Sequence, residues 1–449
     1  MPQTIRIRKG LNINLSGEAS KTISERAIDY YALKPTDFRG INPKLDVQEG
    51  DKVRAGSILF HDKNSERLLF TSPVSGSVAQ IIRGEKRVIQ EICIQRDARM
   101  EFEDFGKADP AALTRDEIVD RLTRSGIWPV IRQRPYSVIA NPSHTPKSIF
   151  ISCFDSAPLA PDPVFILKEL QTECNVGLSA LAKLTGGRIN LCMKQGSGQA
   201  LEFAPDPKVA VHYFSGPHPS GNVGVQIHHL DPINKGETVW YIHIQDLALI
   251  GRLFLTGHYD ATRIIALTGS EIIHPQYFRV HRGARISEIL EDNVKPGNVR
   301  YISGNVLTGT RTARNGYLGF YDHQITVIPE GNHFEFLGWA KPGFGKFSFS
   351  RTFFSWFRPF RQYRLDTNLH GGTRAYVMTG QYEKVFPMNI YPLQLIKAIL
   401  IKDIDLMENL GIYEVDEEDF ALCEFIDTSK TEIQSIIREG LDLMRQEMN

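Results

Sequence analysis

The stretch GDKVRAGSILF (50–60), HDKNSER (61–67), LLFTSPVSGSVAQII (68–82) and, past a charged turn at 83–87, VIQEICI (88–94) decides the fold of the first part of the chain. Val53, Ile58, Leu59, Phe60, Leu69, Phe70, Val78, Ile81 and Ile82 set β-branched or bulky residues between turn residues, the pattern of short paired strands. Gly50, Gly56 and Gly76 fall where a tight turn needs a positive φ or leaves no room for a Cβ. HDKNSER is a polar hairpin between two apolar strands, the second of which breaks at Ser72-Pro73 and Gly76.

The order GDxVxxGxxL…SPxSGxV resembles the lipoyl and biotinyl carrier domains, flattened sandwiches of short strands. In those carriers the lysine to be modified projects from the hairpin tip, which here holds Lys63. Its surroundings lack the Met-Lys-Met or Asp-Lys-Ala flanks that the modifying enzymes read, and no flexible linker frees the tip. The expectation is the sandwich without its prosthetic group.

Outward from this unit, the chain is too long at 449 residues for one core. Lys+Arg and Asp+Glu are both 52, so no bulk field draws the chain to nucleic acid or anionic lipid, and only local patches remain. Nowhere does an apolar run approach the roughly 20 residues of a membrane-spanning helix. The start, MPQTIRIRKG, alternates Ile5 and Ile7 with Arg6 and Arg8 as a strand does, unlike a secretory signal. Cys93, Cys153, Cys174, Cys192 and Cys423 are scattered without a CxxC, which fits reduced thiols and gives no zinc or iron–sulfur spacing.

After the sandwich, Leu113, Ile118, Val119 and Leu122 recur at helical spacing, with Thr114 and Glu117 as a capping box. From Pro142 to Gln245 the chain reads as α/β. SIFISCF (148–154), GGRINLCM (186–193) and KVAVHYFS (208–215) are apolar runs of strands covered on both faces, and PDPVFILKELQ (161–171) is a helix with proline near its start. ETVWYIHIQDLALIGRLFLTG (237–257) adds a strand and a helix. Residues 262–309 give strand–helix–strand at the size of a β-grasp module. The end is helical: 392–401, then a helix opened by Ser429 and Glu432 with Ile433, Ile436, Ile437, Leu441 and Met444 on one face.

Three stretches invite chemistry. In GPHPSGNVGVQIHHLDP (216–232) a buried strand delivers the chain to Gly216, Gly221 and Gly224, as a phosphate- or flavin-cradling loop requires, but the spacing is not GxGxxG and no Walker lysine follows. A rigid turn at the sheet edge is the plainer account. His228 and His229 adjoin, so on a strand they point to opposite faces and do not chelate one ion; His212, His218, His243 and His258 are scattered nearby. GxSxG and HExxH are both missing, and Cys153 lies in an apolar run, as an inert core thiol does. Finally, WAKPGFGKFSFSRTFFSWFRPFRQYR (339–364) crowds rings from Trp339 to Tyr363 beside Lys341, Lys346, Arg351, Arg358, Arg361 and Arg364. That mixture suits a surface held at lipid head-group level or against a membrane protein; it also suits filling a groove between domains, while RNA binding would want a basic field that the chain lacks.

The order of landmarks is itself informative. IxIxKGLNI (5–13), the sandwich, RPYSVIANP (134–142), ISCFDSAPLAPDP (151–163), SGPHPSGNVGVQIHHLDPI (215–233), VWYIHIQDLALIGRLFLTG (239–257), LTGSEI (267–272), GxRISEIL (283–290) and the closing helices are all present. Taken together they resemble, end to end, the family of NqrA subunits of the sodium-translocating NADH:quinone reductase, the Nqr complex. The resemblance implies an α/β multidomain chain. Its parts would be a Rossmann-like domain (1–40 and 96–258), a lipoyl/biotinyl-like all-β sandwich (41–95), a β-grasp (SLBB-like) module (259–330) and a C-terminal helical domain (386–449), with the aromatic–basic segment (331–385), read from its own residues as a docking stretch, between the last two. It also implies a peripheral subunit on the cytoplasmic face of the bacterial inner membrane, in a complex that oxidises NADH, reduces ubiquinone and exports sodium. The expected partners are the other subunits, integral-membrane ones above all, and ubiquinone, with no nucleic acid. No cofactor is expected to be tightly bound on this chain, and the isolated chain is not expected to catalyse. Relatives in the Rnf complex carry cysteine-rich cluster motifs in the helical domain, where this chain has Cys423 alone; a flavin- or NADH-binding electron-transfer subunit of the Rnf type is the alternative. A quinone or vestigial nucleotide crevice is expected at the carboxyl ends of the α/β strands, around Asp155, Gly216, Gly221, Gly224, His228 and His229. Docking falls to Phe347, Phe353, Phe354, Trp356, Phe357 and Arg358.

Overall fold

The computed structural model describes residues 3–197, 203–333, 335–338, 340–358, 360–376 and 380–448, so Trp339 lies outside the described residues. The largest sheet has seven strands in the spatial order β1 (Thr4–Arg6), β14 (Val209–Ser215), β13 (Ile189–Lys194), β12 (Ser148–Ser152), β15 (Val239–His243), β10 (Arg132–Arg134), β11 (Val138–Ile139). The first five run parallel, and β10 and β11 add an antiparallel edge. A six-stranded sheet follows the order β19 (Thr310–Thr312), β18 (Val299–Ser303), β20 (Gln324–Pro329), β16 (Thr262–Thr268), β17 (Gln276–His281), β2 (Ser20–Glu25). The sandwich consists of β3 (Tyr30–Leu33), β9 (Ile89–Arg96), β8 (Gly76–Arg83) and β5 (Lys52–Val53) in one sheet, and of β4 (Pro43–Leu45), β6 (Ile58–Asp62) and β7 (Ser65–Thr71) in the other. Lys63 and Asn64 form the tip between β6 and β7, and a Cβ on Gly76 would lie 2.0 Å from the Gln95 carbonyl.

Helices cover both faces of the seven-stranded sheet because its central strands β12, β13 and β15 are apolar on both. Ile149 and Ile151 of β12, Leu191 of β13, and Trp240 and Ile242 of β15 join one core, under α3 (Gln171–Ala182) and α5 (Ile244–Thr256). Their neighbours Phe150, Cys192, Val239 and Tyr241 join a second core with α4 (Val223–Leu230) and the C-terminal helices. Period-two alternation thus divides each strand between two cores. Gly177 and Gly251 let α3 and α5 touch backbone to backbone: a Cβ at 251 would sit 1.8 Å from the Glu173 carbonyl.

The remaining helices are α1 (Arg115–Arg124), α2 (Pro163–Leu167) and α6 (Ile286–Leu290), then α7 (Tyr382–Val385), α8 (Pro392–Leu400), α9 (Ile404–Asn409), α10 (Glu417–Ile426) and α11 (Ile433–Met448). Thr114 and Glu117 close a reciprocal cap on α1. In α11, Ile433, Ile437, Leu441 and Met444 are fully buried, and each such side chain contributes roughly 1.5–3 kcal/mol.

Four local expectations change. The helix in the 161–171 segment is only Pro163–Leu167, capped by Asp162 through the N–H groups of Val164 and Phe165, and a second helix starts at Gln171. Half of the 216–232 loop is α4, where Val223, Val225 and Ile227 are buried between the sheet and the C-terminal helices. The adjacent His228 and His229 therefore sit about 100° apart on a helix, and no strand sends them to opposite faces. Ser429 does not cap α11: its hydroxyl donates to the Ala375 carbonyl, while Asp427 and Glu424 accept the N–H groups of Thr431 and Gln434. Residues 1–40 are not one unit either, since β1, β2 and β3 enter three different sheets.

Candidate functional site

β12, β13 and β14 run parallel and end together, and β12 is where chain order turns: β13 and β14 follow on one side and β15 on the other. Loops leaving such a point diverge and open a crevice. A cleft of about 530 Å³ lies there. It is lined by the loop 154–160 after β12, Lys194 and Gln195 after β13, Phe214–Gly216 after β14, and Asn12–Leu15 beyond β1. Glu18, Ser220 and, from the far end of the aromatic–basic segment, Phe360 and Gln362 complete the lining.

Asp155 and Gly216 line this cleft, and Gly221 packs directly behind it, where a Cβ would lie 2.5 Å from the Ser156 amide nitrogen. Gly216 holds φ at +123°, a conformation closed to other residues, and its missing Cβ clears the Ile7 carbonyl by which β1 passes. Asp155 accepts the N–H of Ala157 at 2.8 Å, fixing the turn.

Gly224, His228 and His229 lie elsewhere, against the C-terminal helices. His228 Nε2 accepts the Asn389 N–H (2.9 Å), so its proton is on Nδ1, 2.7 Å from Glu414 Oε2. His229 Nε2 donates to the Pro387 carbonyl (3.1 Å), and burial pushes its pKa down. Both are interface residues.

Local sequence pattern gave no sign of a pair inside the cleft. Ser156 Oγ lies 3.0 Å from His218 Nδ1 and accepts the Gly221 N–H at 2.8 Å. Burial pushes the His218 pKa down to about 4, so the ring is neutral at neutral pH. Asn12 Oδ1 holds the His218 N–H at 3.0 Å. The pair presents a hydroxyl with a neutral imidazole behind it to whatever enters. One signal was available: Ser156 and Lys194 stand just past the apolar runs that become β12 and β13.

A second undetected feature is a buried ion cluster. Arg134, fully buried on β10, donates to Asp419 (2.7 Å), Glu418 (2.8 Å) and the Glu414 carbonyl (2.9 Å). Ser137 donates to Asp416 at 2.6 Å, and Arg39 and Arg438 face the same acids. These acids open α10, where the helix dipole favours negative charge. Burial opposes ionisation of Asp416, but Arg134 and Arg39 outweigh it and hold its carboxyl below the usual range. Gly224 makes room for the cluster: a Cβ there would lie 2.5 Å from Arg134 Nη1 and 2.6 Å from the Asp419 oxygens. Gly224→Ala is expected to destabilise by about 1–3 kcal/mol, as a lowered urea midpoint; an unchanged midpoint would show that the cluster yields freely.

The aromatic–basic segment is clamped at its base. Tyr363 exchanges backbone hydrogen bonds with Asn14 and Ser16, and Arg364 grips Glu271 at 2.7 and 3.1 Å. Phe347 turns inward against Tyr363 and Phe425, so it is not on the outward face expected of it. Phe353 is half-buried beneath Lys346, whereas Phe354, Trp356, Phe357 and Arg358 are exposed.

Family models match along the chain: the NqrA N-terminal barrel-sandwich hybrid domain over residues 5–97, the NqrA second alpha/beta domain over 113–259, and the NQRA C-terminal domain over 264–314. The NqrA subunit of the Na(+)-translocating NADH-quinone reductase of Serratia proteamaculans is 40% identical over 449 residues, covering 99% of this chain and 100% of its own. The chain belongs to the NqrA family of the Na(+)-translocating NADH-quinone reductase. Other NqrA subunits, from Yersinia pestis bv. Antiqua and Neisseria meningitidis, are 39% and 38% identical, each over 99% of this chain and all of theirs. Among solved structures, an NAD+-reducing NiFe-hydrogenase in the air-oxidized state matches 75% of this chain and 64% of its own at 10% identity, with a TM-score of 0.40, too slight a likeness to carry weight. Among the described residues no helix is long and apolar enough to cross a membrane, and no group of His, Cys, Asp or Glu side chains is arranged to hold a metal ion.

Proposed function

We propose that this chain is the peripheral subunit, on the cytoplasmic face, of a bacterial inner-membrane complex that couples NADH oxidation and ubiquinone reduction to sodium export. It carries no tightly bound redox cofactor of its own, docks on the membrane part of the complex, and helps to form or cover the quinone site. In this reading the seven-stranded sheet with helices on both faces is a Rossmann-like scaffold whose strand-end crevice holds the quinone headgroup.

The observation that carries it, beside family membership along the whole chain, is the composition of the cleft. A quinone ring wants apolar walls and one or two donors to its carbonyl oxygens. Ile13, Leu15, Phe154 and Phe360 give the cleft apolar patches, and Ser156, Lys194, Gln195 and Gln362 the donors, in a lining that is polar for the greater part. Ser156 would donate to one carbonyl oxygen, with the neutral His218 behind it holding the hydroxyl in place.

A photoreactive ubiquinone analogue on the assembled complex tests this. Label is expected in the peptides carrying 154–160, 194–195 or 360–362, and excess ubiquinone should compete it away. Ser156→Ala should raise the KM for quinone about fivefold, the size of one lost hydrogen bond, with kcat for NADH oxidation to an artificial acceptor unchanged. Competable label found wholly in other subunits would sink the proposal.

A further inference from the structure

Between Glu335 and Asp366 the sequence holds six basic residues, Lys341, Lys346, Arg351, Arg358, Arg361 and Arg364, and no Asp or Glu. The fold neutralises half of them. Glu335 pairs with Lys341 (3.3 Å) and Lys346, and Glu271 with Arg364. Arg351, Arg358 and Arg361 have no carboxylate within ion-pair distance among the described residues; Arg361 donates to the Phe344 carbonyl at 2.7 Å.

The same tip exposes its rings. Phe344, Phe354, Trp356, Phe357 and Phe360 are exposed by 55%, 49%, 45%, 64% and 93%. They are organised: Trp356 and Phe357 stack at 3.9 Å, and Phe354 meets both Phe357 (6.1 Å) and Phe344 (5.8 Å). The clamped base and the inward Phe347 give this ring cluster a fixed root.

We propose that this tip inserts into the head-group layer of an anionic phospholipid membrane, with the rings at the acyl boundary and Arg351, Arg358 and Arg361 on the phosphates. The inference deepens the proposed peripheral role and rests on it. Charge complementarity decides the occupant. A protein interface would have to bring one carboxylate to each unpaired guanidinium, or desolvate it at a cost of several kcal/mol. A lipid surface offers phosphate at every lateral position and leaves each guanidinium free to snorkel. Large rings beside arginines, without acids, are the composition of an interfacial anchor. Because Phe360 and Gln362 also line the cleft, the anchor would set the cleft mouth beside the layer in which a lipid-soluble quinone is dissolved.

The experiment is flotation of the full chain with vesicles of phosphatidylglycerol and phosphatidylethanolamine, compared with vesicles of phosphatidylcholine alone. Binding to the anionic vesicles is expected, weakened by salt. The pair Arg351→Glu and Arg358→Glu should lower partitioning on the order of 100-fold, and the pair Trp356→Ser and Phe357→Ser should abolish it at low salt as well. All four positions are exposed, so circular dichroism should be unchanged. Equal recovery on both vesicle types, no flotation, or wild-type flotation of both variants would overturn the proposal. A chain that ignores lipid but binds detergent-solubilised membrane subunits would overturn it too, while quinone labelling in detergent would leave the proposed function standing.

Discussion

Replacing Arg134 with methionine is expected to destabilise the protein by roughly 3–5 kcal/mol, the usual cost of removing one partner from a buried ion network. The guanidinium is fully buried and joins the edge of the seven-stranded sheet to the first turn of α10. Without it, Asp416, Glu418 and Asp419 would stand together in a dry interface, with Arg39, Arg132 and Arg438 as the cations left near them. The loss should appear as an early urea transition in which the C-terminal helices separate and become open to protease. Adding Glu418→Gln and Asp419→Asn to Arg134→Met should recover part of the loss, because the repulsion goes with the charges. A single, unshifted transition for Arg134→Met would refute the assigned role.

Stability is also expected to fall as pH drops from 6.5 to 4. Burial pushes His218 down to about 4, and it does the same to His243, which sits beside Arg263 and Arg282 against the pull of Asp246. Geometry agrees for the second ring. His243 Nδ1 accepts the Gln245 N–H at the start of α5, and His323, stacked on it at 3.5 Å, lies 3.3 Å from the Gln245 side-chain amide. Protonating either ring would place a cation against two arginines and a helix N-terminus. The unfolded chain binds these protons from about 6.5 downward and the folded chain only near 4, so stability is intact above 6.5 and lost between the two values. The size is about 3 kcal/mol for each histidine. Urea midpoints across that range would measure it, and His218→Asn should flatten part of the slope. A slope left unchanged by His218→Asn would show that the fold does not hold that ring neutral.

The strands of the sandwich and of the seven-stranded sheet were readable because their signals are local. Turn residues at Gly50, Gly56 and Gly76 mark the hairpins, and SIFISCF shows by its unbroken apolarity that both faces are covered. α4 was not readable, because its first five residues are all buried and show no polar stripe, and Gly221, Asn222 and Gly224 at its start look like a loop. Of the crevice residues, Asp155 and Gly216 were legible from their place at strand ends. That Ser156 meets His218 was not, since the two are 62 residues apart and meet only when β12 and β14 lie in one sheet. Arg134 was hidden for the same reason: its partners follow it by 284 and 285 residues. Local pattern gives elements; pairings this distant need the fold.

The first three strands have a consequence for how the chain is made. β1 waits for β14, β2 for β17 and β3 for β9, so an opening segment of 33 residues is joined to partners that end at residues 215, 281 and 96. Made ahead of its partners, this segment is captured piecewise, its third strand before its first and its second last of all. Until residue 281 has been synthesised the nascent chain carries an unmatched edge at β2, and a chaperone that shields short edges would have most to do in that interval.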